Sequence, residues 1–126
     1  MRQRGTLLLV DDDRQVLGSM ADWLRDQGYQ IDTAASFAEG IAAIDRKSYD
    51  LVLADIRLGD SDGFDILAHC RENRPGTSVI MITGYGTVEL AVEAIRAGAF
   101  DFLTKPDDQS EVQRITTVDV SQDAKR

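Results

Sequence analysis

The chain has little of what many function classes require. One cysteine, two prolines, one tryptophan and one histidine occur among 126 residues, and aromatics make up 6%. A single thiol, Cys70, excludes an intrachain disulfide; its spacing with Phe64, Ile66 and Leu67 places it on the apolar side of a helix, as a buried and inert group. The only histidine, His69, lies on a helix flank with no partner motif and reads as a surface residue, neither ligand nor phosphodonor. The lone Trp23 reads as helix packing. Basic charge is also scarce: a net charge of -8 and a pI near 4.5 argue against nucleic-acid or anionic-membrane binding by this domain alone. No apolar run approaches membrane-spanning length, and Met1-Arg2-Gln3-Arg4-Gly5 leads straight into a strand without a signal-peptide pattern, so the expected location is cytoplasmic. Repeats and low-complexity segments are absent.

What remains is one soluble globular domain, 43% hydrophobic and 29% charged. Its organising stretch is Leu51-Val52-Leu53-Ala54-Asp55, a continuous apolar run that ends on an acid. Continuity rather than alternation marks a strand buried on both faces. Thr6 to Val10, Gln30 to Ala34, Ser78 to Ile82 and Ala99 to Leu103 read as four further strands. Between them, Val16, Leu17, Met20, Ala21, Trp23 and Leu24 recur at helical spacing up to Gly28. Ser36 and Glu39 have the capping-box spacing ahead of the stripe Phe37, Ile41 and Ile44. Asp62-Gly63 opens a third helix that ends before Pro75. In the fourth helix, Val88, Ala91, Val92 and Ile95 fit the i, i+3, i+4, i+7 template and read as the core stripe. Leu90, Ala94 and Ala97 form a second stripe, either a partner surface or the edge of the core. Residues 1–106 are expected to form the domain core. Residues 107–126, with the thin stripe Val112, Ile115 and Val118, read equally as a weak last helix or a linker stub.

Alternating strands and helices imply a parallel sheet with helices on both faces and right-handed crossovers. All strand C-termini then share one edge, where open α/β sheets bind ligands. Asp11, Asp12, Asp55, Thr83 and Lys105 all sit at such ends. Crowded carboxylates repel by roughly 4 kcal/mol per pair at an effective dielectric of 20, so they must protonate, spread or bind a cation. Oxygen-only ligands suit magnesium, and a carboxylate beside that ion can act as a nucleophile on phosphorus. Lys105 supplies a point charge and Thr83 a hydroxyl donor for phosphoryl oxygens. Taken singly these residues are unremarkable: Asp12 or Asp13 can cap the first helix, with Asp13 the better placed.

Four motifs in order, Leu9-Val10-Asp11-Asp12-Asp13, Asp50 to Asp55 with Asp62-Gly63, Ile82-Thr83-Gly84 and Phe102-Leu103-Thr104-Lys105-Pro106, resemble those of response regulator receiver domains of two-component systems. The segment from Gly84 through Phe102 is similar to receivers of enhancer-binding (NtrC-like) transcription activators. The resemblance implies a flavodoxin-like, doubly wound sheet in the order 2-1-3-4-5. It implies phosphoryl transfer from a sensor histidine kinase to Asp55, with magnesium held by Asp11, Asp12, Asp55 and the backbone carbonyl of Arg57. It further implies Lys105 as the phosphate-pairing lysine, Thr83 and Phe102 as switch residues, Arg57 and Tyr85 as determinants of phosphoryl lifetime, and a cis Lys105-Pro106 bond. An output domain or downstream protein would then be engaged through the fourth helix and fifth strand, with homodimerisation on phosphorylation also on the list of expected partnerships. On this reading the chain is not an enzyme: it catalyses only its own phosphorylation and slow dephosphorylation. Leu58-Gly59 stands where the family usually has Met-Pro, which frees the backbone after Asp55.

Two other classes fit parts of the pattern. A magnesium-dependent phosphohydrolase with an aspartyl nucleophile usually carries a second acid two residues later, where this chain has Arg57. A receiver-like domain acting only through protein binding would lack one of Asp12, Asp55 or Lys105, and all three are present.

Overall fold

Apolar runs rich in leucine, valine and isoleucine, closed by an acid or by Thr83-Gly84, set the three central strands of this protein, and the more polar Gln30–Ala34 and Asp101–Thr104 form its edges. The computed structural model describes residues 5–58, 61–84 and 87–104. Strands β1 (Thr6–Val10), β2 (Gln30–Ala34), β3 (Leu51–Asp55), β4 (Ser78–Thr83) and β5 (Asp101–Thr104) form one parallel sheet in the order β2-β1-β3-β4-β5. This is the order implied by the receiver-like motifs. Helices α1 (Arg14–Asp26), α2 (Phe37–Arg46), α3 (Gly63–Asn73) and α4 (Val88–Arg96) make the crossovers.

Strand side chains alternate between two cores. Leu17, Ala21 and Leu24 of α1 cover Leu7, Leu9, Leu51, Leu53 and Ile80, with Trp23 packed at the margin. On the opposite face Ile44 of α2, Ile66, Leu67 and Cys70 of α3 and Ala94 of α4 cover Leu8, Val10, Val52, Ala54, Val79 and Met81. Each fully buried leucine or isoleucine stabilises the fold by about 1.5–3 kcal/mol. Cys70 is fully buried beside them, as expected, and burial pushes its thiol up to about 11.

Local chemistry fixes the helix ends. The Asp13 carboxylate accepts from the N–H groups of Gln15 and Val16, and Ser36 Oγ accepts from the Glu39 N–H at 3.1 Å. Glu39 reaches back to accept from the Ala35 N–H at 3.2 Å, one residue earlier than in the usual capping box. Asp62 caps α3 and Thr87 caps α4. Gly98, with φ +105°, closes α4 in a conformation that L side chains rarely adopt.

Three features depart from the sequence reading. First, β5 begins at Asp101 rather than Ala99: the Ala99 N–H donates to Ala94 in a turn closing α4, and the Phe100 N–H donates to Val79 at 2.7 Å. Second, Arg57–Leu58 pairs antiparallel with Ser61–Asp62, a two-residue ladder directly after Asp55. Third, the faces of α4 are reversed. Val88 is 76% exposed and Ile95 50%, with Val92 also exposed and Ala91 half-buried, whereas Ala94 is fully buried and Leu90 packs against the core. Ala97, assigned to the same stripe as Ala94, is exposed. The small Ala94 side chain lets the helix approach the sheet closely, and the larger apolar residues consequently face outward.

Candidate functional site

Register brings the acids together. Val10 pairs with Ala54 across β1 and β3, so Asp11, the next residue, lies level with Asp55 at the sheet's C-terminal edge. Asp55 in turn pairs with Ile82 of β4, which puts Thr83 one residue beyond it. Carboxylate oxygens of Asp11, Asp12 and Asp55 lie within 4.8 Å of one another. Asp11 and Asp55 are 5% and 6% exposed and Thr83 2%, while Asp12 is exposed. Backbone donors hold the two buried acids in place: the Asp13 N–H donates to Asp11 Oδ1 at 2.9 Å and the Arg57 N–H to Asp55 Oδ1 at 3.1 Å. These short local bonds aim both carboxylates along the edge, where strand β-structure ends and the chain turns away.

Buried like charges this close cost several kcal/mol unless a cation offsets them. Oxygen donors alone, two of them buried and one open to solvent, form a donor set suited to a hard divalent ion that retains water, as magnesium does. The carbonyl of Arg57 follows directly from the turn that the Asp55 bond stabilises, while the Arg57 side chain is exposed.

Other sequence-predicted residues are placed as follows. Phe102 is half-buried in β5 on the face shared with Leu90 and α4. Lys105, Tyr85, the Lys105-Pro106 bond, Gly59 and residues 107–126 lie outside the described residues. Among the described residues no helix is long and apolar enough to cross a membrane.

Two polar groupings were not anticipated. His69, read as a surface residue, is half-buried: its Nε2 lies 2.6 Å from Asp45 Oδ1, tying α3 to α2, and within α3 the Asn73 amide donates to its backbone carbonyl. In the middle of β2, Asp32 accepts from the Tyr49 hydroxyl at 2.7 Å and from Lys47 Nζ at 3.1 Å. Burial and the Asp32 carboxylate push Tyr49 up to about 12, and the Tyr49 hydroxyl holds Asp32 below its usual value. Neither grouping reaches the acidic cluster. Gly63 does. A Cβ there would overlap the Asp55 carbonyl oxygen and stand 2.8 Å from Met81 Cε, so only glycine lets α3 start against the end of β3. The signal available was a glycine at the first helical position, where almost any other residue favours the helix more.

The sequence matches the response regulator receiver domain family over residues 7–117. It is 42% identical over 103 residues to the transcriptional regulatory protein GlrR of Escherichia coli (strain K12), a match covering 82% of this chain and 23% of GlrR. The chain thus spans about a quarter of the length of that relative, as it does of the alginate regulators AlgB. Among solved structures, the CheY-like receiver domain protein of Methanospirillum hungatei JF-1 superposes with a TM-score of 0.90 at 33% identity, covering 95% of this chain and 96% of that one. The beryllofluoride-activated NtrC4 receiver domain dimer superposes with a TM-score of 0.86 at 31% identity, covering 94% and 98%. A parallel sheet of this order, an acidic cluster at its C-terminal edge and these matches together establish that the chain belongs to the response regulator receiver domain family.

Proposed function

We propose that Asp55 is the phosphoacceptor of this domain and that a sensor histidine kinase is its donor. The observation carrying this reading is the convergence of buried Asp55 with Asp11 and Asp12 within 4.8 Å at the sheet's C-terminal edge. An Asp55 carboxylate oxygen forms a bond to phosphorus as the P–N bond of a phosphohistidine breaks, and the imidazole nitrogen keeps the electron pair. Asp11, Asp12, Asp55 and the Arg57 carbonyl are the residues that would hold magnesium, which when bound neutralises charge on the phosphoryl oxygens. Thr83 donates its hydroxyl to a phosphoryl oxygen and Lys105 pairs with another. Arg57 and Tyr85 flank the approach of hydrolytic water and set the phosphoryl lifetime. The chemistry is self-modification, with no other substrate turned over.

The readout surface in this proposal is the outer side of α4 with the turn that leads into β5. Val88, Val92, Ile95 and Phe100 are exposed there, an apolar group of the kind that marks interaction sites. Movement of Thr83 toward the phosphoryl group makes room for Phe102 to turn inward and shifts a two-state equilibrium at that surface. An output domain or downstream protein, or a second phosphorylated copy, is the partner, in a cytoplasmic pathway that controls transcription. A dimer is named for the activated NtrC4 receiver, which supports the last of these.

The test is intact mass after incubation with a small phosphodonor and magnesium. One added phosphoryl group is expected, and none in Asp55→Asn or after chelation. A folded, magnesium-binding protein that gains no mass would overturn the phosphoacceptor reading and favour a module acting by binding alone.

A further inference from the structure

Helix α3 touches both the acidic site and the α4–β5 turn. Its first residue, Gly63, lies so close to the Asp55 carbonyl that a Cβ would overlap that oxygen, and its N–H donates to the Ile56 carbonyl at 2.7 Å. Two turns later on the same rod, Arg71 reaches out to the far end of α4. Its Cδ, Nε and Cζ lie where a Cβ on Gly98 would stand, and its Nη1 donates to the Gly98 carbonyl at 3.4 Å. Gly98 has φ +105°, so the side chain lies directly over the left-handed residue that terminates α4. Between the two ends, Ile66, Leu67 and Cys70 are fully buried, so close packing along its middle keeps the helix straight. An eleven-residue helix at 1.5 Å rise per residue spans about 16 Å, enough to link the two regions in one element.

We infer that Arg71 is a positioning residue that clasps the α4–β5 turn to α3, making α3 a mechanical link between the Asp55 loop and the surface of α4. The inference rests on the proposed phosphoacceptor role of Asp55 only for its biological use; the link itself is a property of the unmodified protein. Few side chains seat α4 on the sheet: Ala94 is its one fully buried side chain and Leu90 packs against the core only in part. A shift of the Asp55 carbonyl pushes on Gly63, which has no side chain to yield, and the helix passes that push to Gly98 through Arg71. Coupling of this kind is reciprocal, so loosening the Arg71 end must be felt at the Gly63 end.

Backbone amide chemical shifts and hydrogen exchange in unphosphorylated wild type, Arg71→Ala and Arg71→Lys test this directly. In Arg71→Ala, exchange at Gly98, Ala99 and Phe100 is expected to rise by about tenfold, with accompanying shift changes at Arg57 and Gly63 and none at Leu7 to Leu9. Arg71→Lys, which retains a cation and aliphatic stem but not the planar fork, should restore the Gly63 signal only partly. Changes confined to Gly98 through Phe100 would overturn the link, leaving Arg71 a local cover for the turn. So would an unchanged turn. None of these readouts depends on phosphoryl uptake, so a wild type that failed to gain mass would remove the proposed function while leaving the link to be judged on the amide data.

Discussion

Neutralising Asp55 should make the metal-free protein more stable. Carboxylate oxygens of Asp11, Asp12 and Asp55 lie within 4.8 Å of one another. At that distance a pair of unit charges repels by about 3.5 kcal/mol at an effective dielectric of 20 and by about 0.9 kcal/mol in bulk water. The pair Asp11–Asp55 is buried and belongs near the upper figure; the pair with exposed Asp12 belongs near the lower. Part of this is already offset by the N–H groups of Asp13 and Arg57, which donate to the two buried acids. Asn at position 55 keeps an oxygen for the Arg57 N–H and removes the charge. A net gain of about 2 kcal/mol is therefore expected without metal, which moves the urea midpoint upward by about 1 M for a domain of this size. Magnesium should raise the wild-type midpoint, because it binds the folded cluster and not the unfolded chain, and should leave Asp55→Asn nearly unmoved. The assay is urea unfolding followed by circular dichroism, with and without magnesium. An Asp55→Asn protein less stable than wild type in chelator would show that the three acids do not repel as their geometry requires.

Gly63→Ala should cost more than about 2 kcal/mol in the same assay, since neither the Asp55 carbonyl nor the buried Met81 can yield without disturbing β3. On α4 the expected costs run opposite to residue size: Val88→Ala within about 0.5 kcal/mol, Ala94→Leu destabilising by about 1–3 kcal/mol, and equal costs would contradict the reversed face. Tyr49 gives a pH signature. The folded protein holds its phenolic proton up to about 12 whereas the unfolded chain releases it near 10, so that part of the stability is complete below pH 10 and is lost as pH rises toward 12. Asp32 works in the other direction, its lowered value adding stability above the ordinary carboxylate range that disappears as pH falls below it. Tyr49→Phe should flatten the alkaline fall relative to wild type, as read from urea midpoints between pH 9 and 12; an unchanged alkaline slope would mean that burial and the Asp32 carboxylate do not raise Tyr49 in solution.

How far the sequence reaches depends on whether a feature is set by neighbours along the chain or by neighbours across space. A shared edge for Asp11, Asp55 and Thr83 follows from parallel pairing, whereas the strand order that makes β1 and β3 neighbours comes from the resemblance to receiver domains. The caps at Asp13, Ser36 and Asp62 are equally local, each accepting from one or two N–H groups two or three residues further on. The contact of Gly63 with the Asp55 carbonyl has no such signature, and neither has the pair His69–Asp45, whose members stand 24 residues apart. α4 is the instructive failure. Two apolar stripes lie side by side on it, and periodicity alone favours the one with the larger side chains, Val88, Val92 and Ile95. The sheet decides otherwise, because β4 and β5 leave only enough depth for Ala94 and part of Leu90. A strong apolar stripe that the sheet does not accept stays at the surface, so the failed core assignment falls on the same residues as the readout surface proposed above.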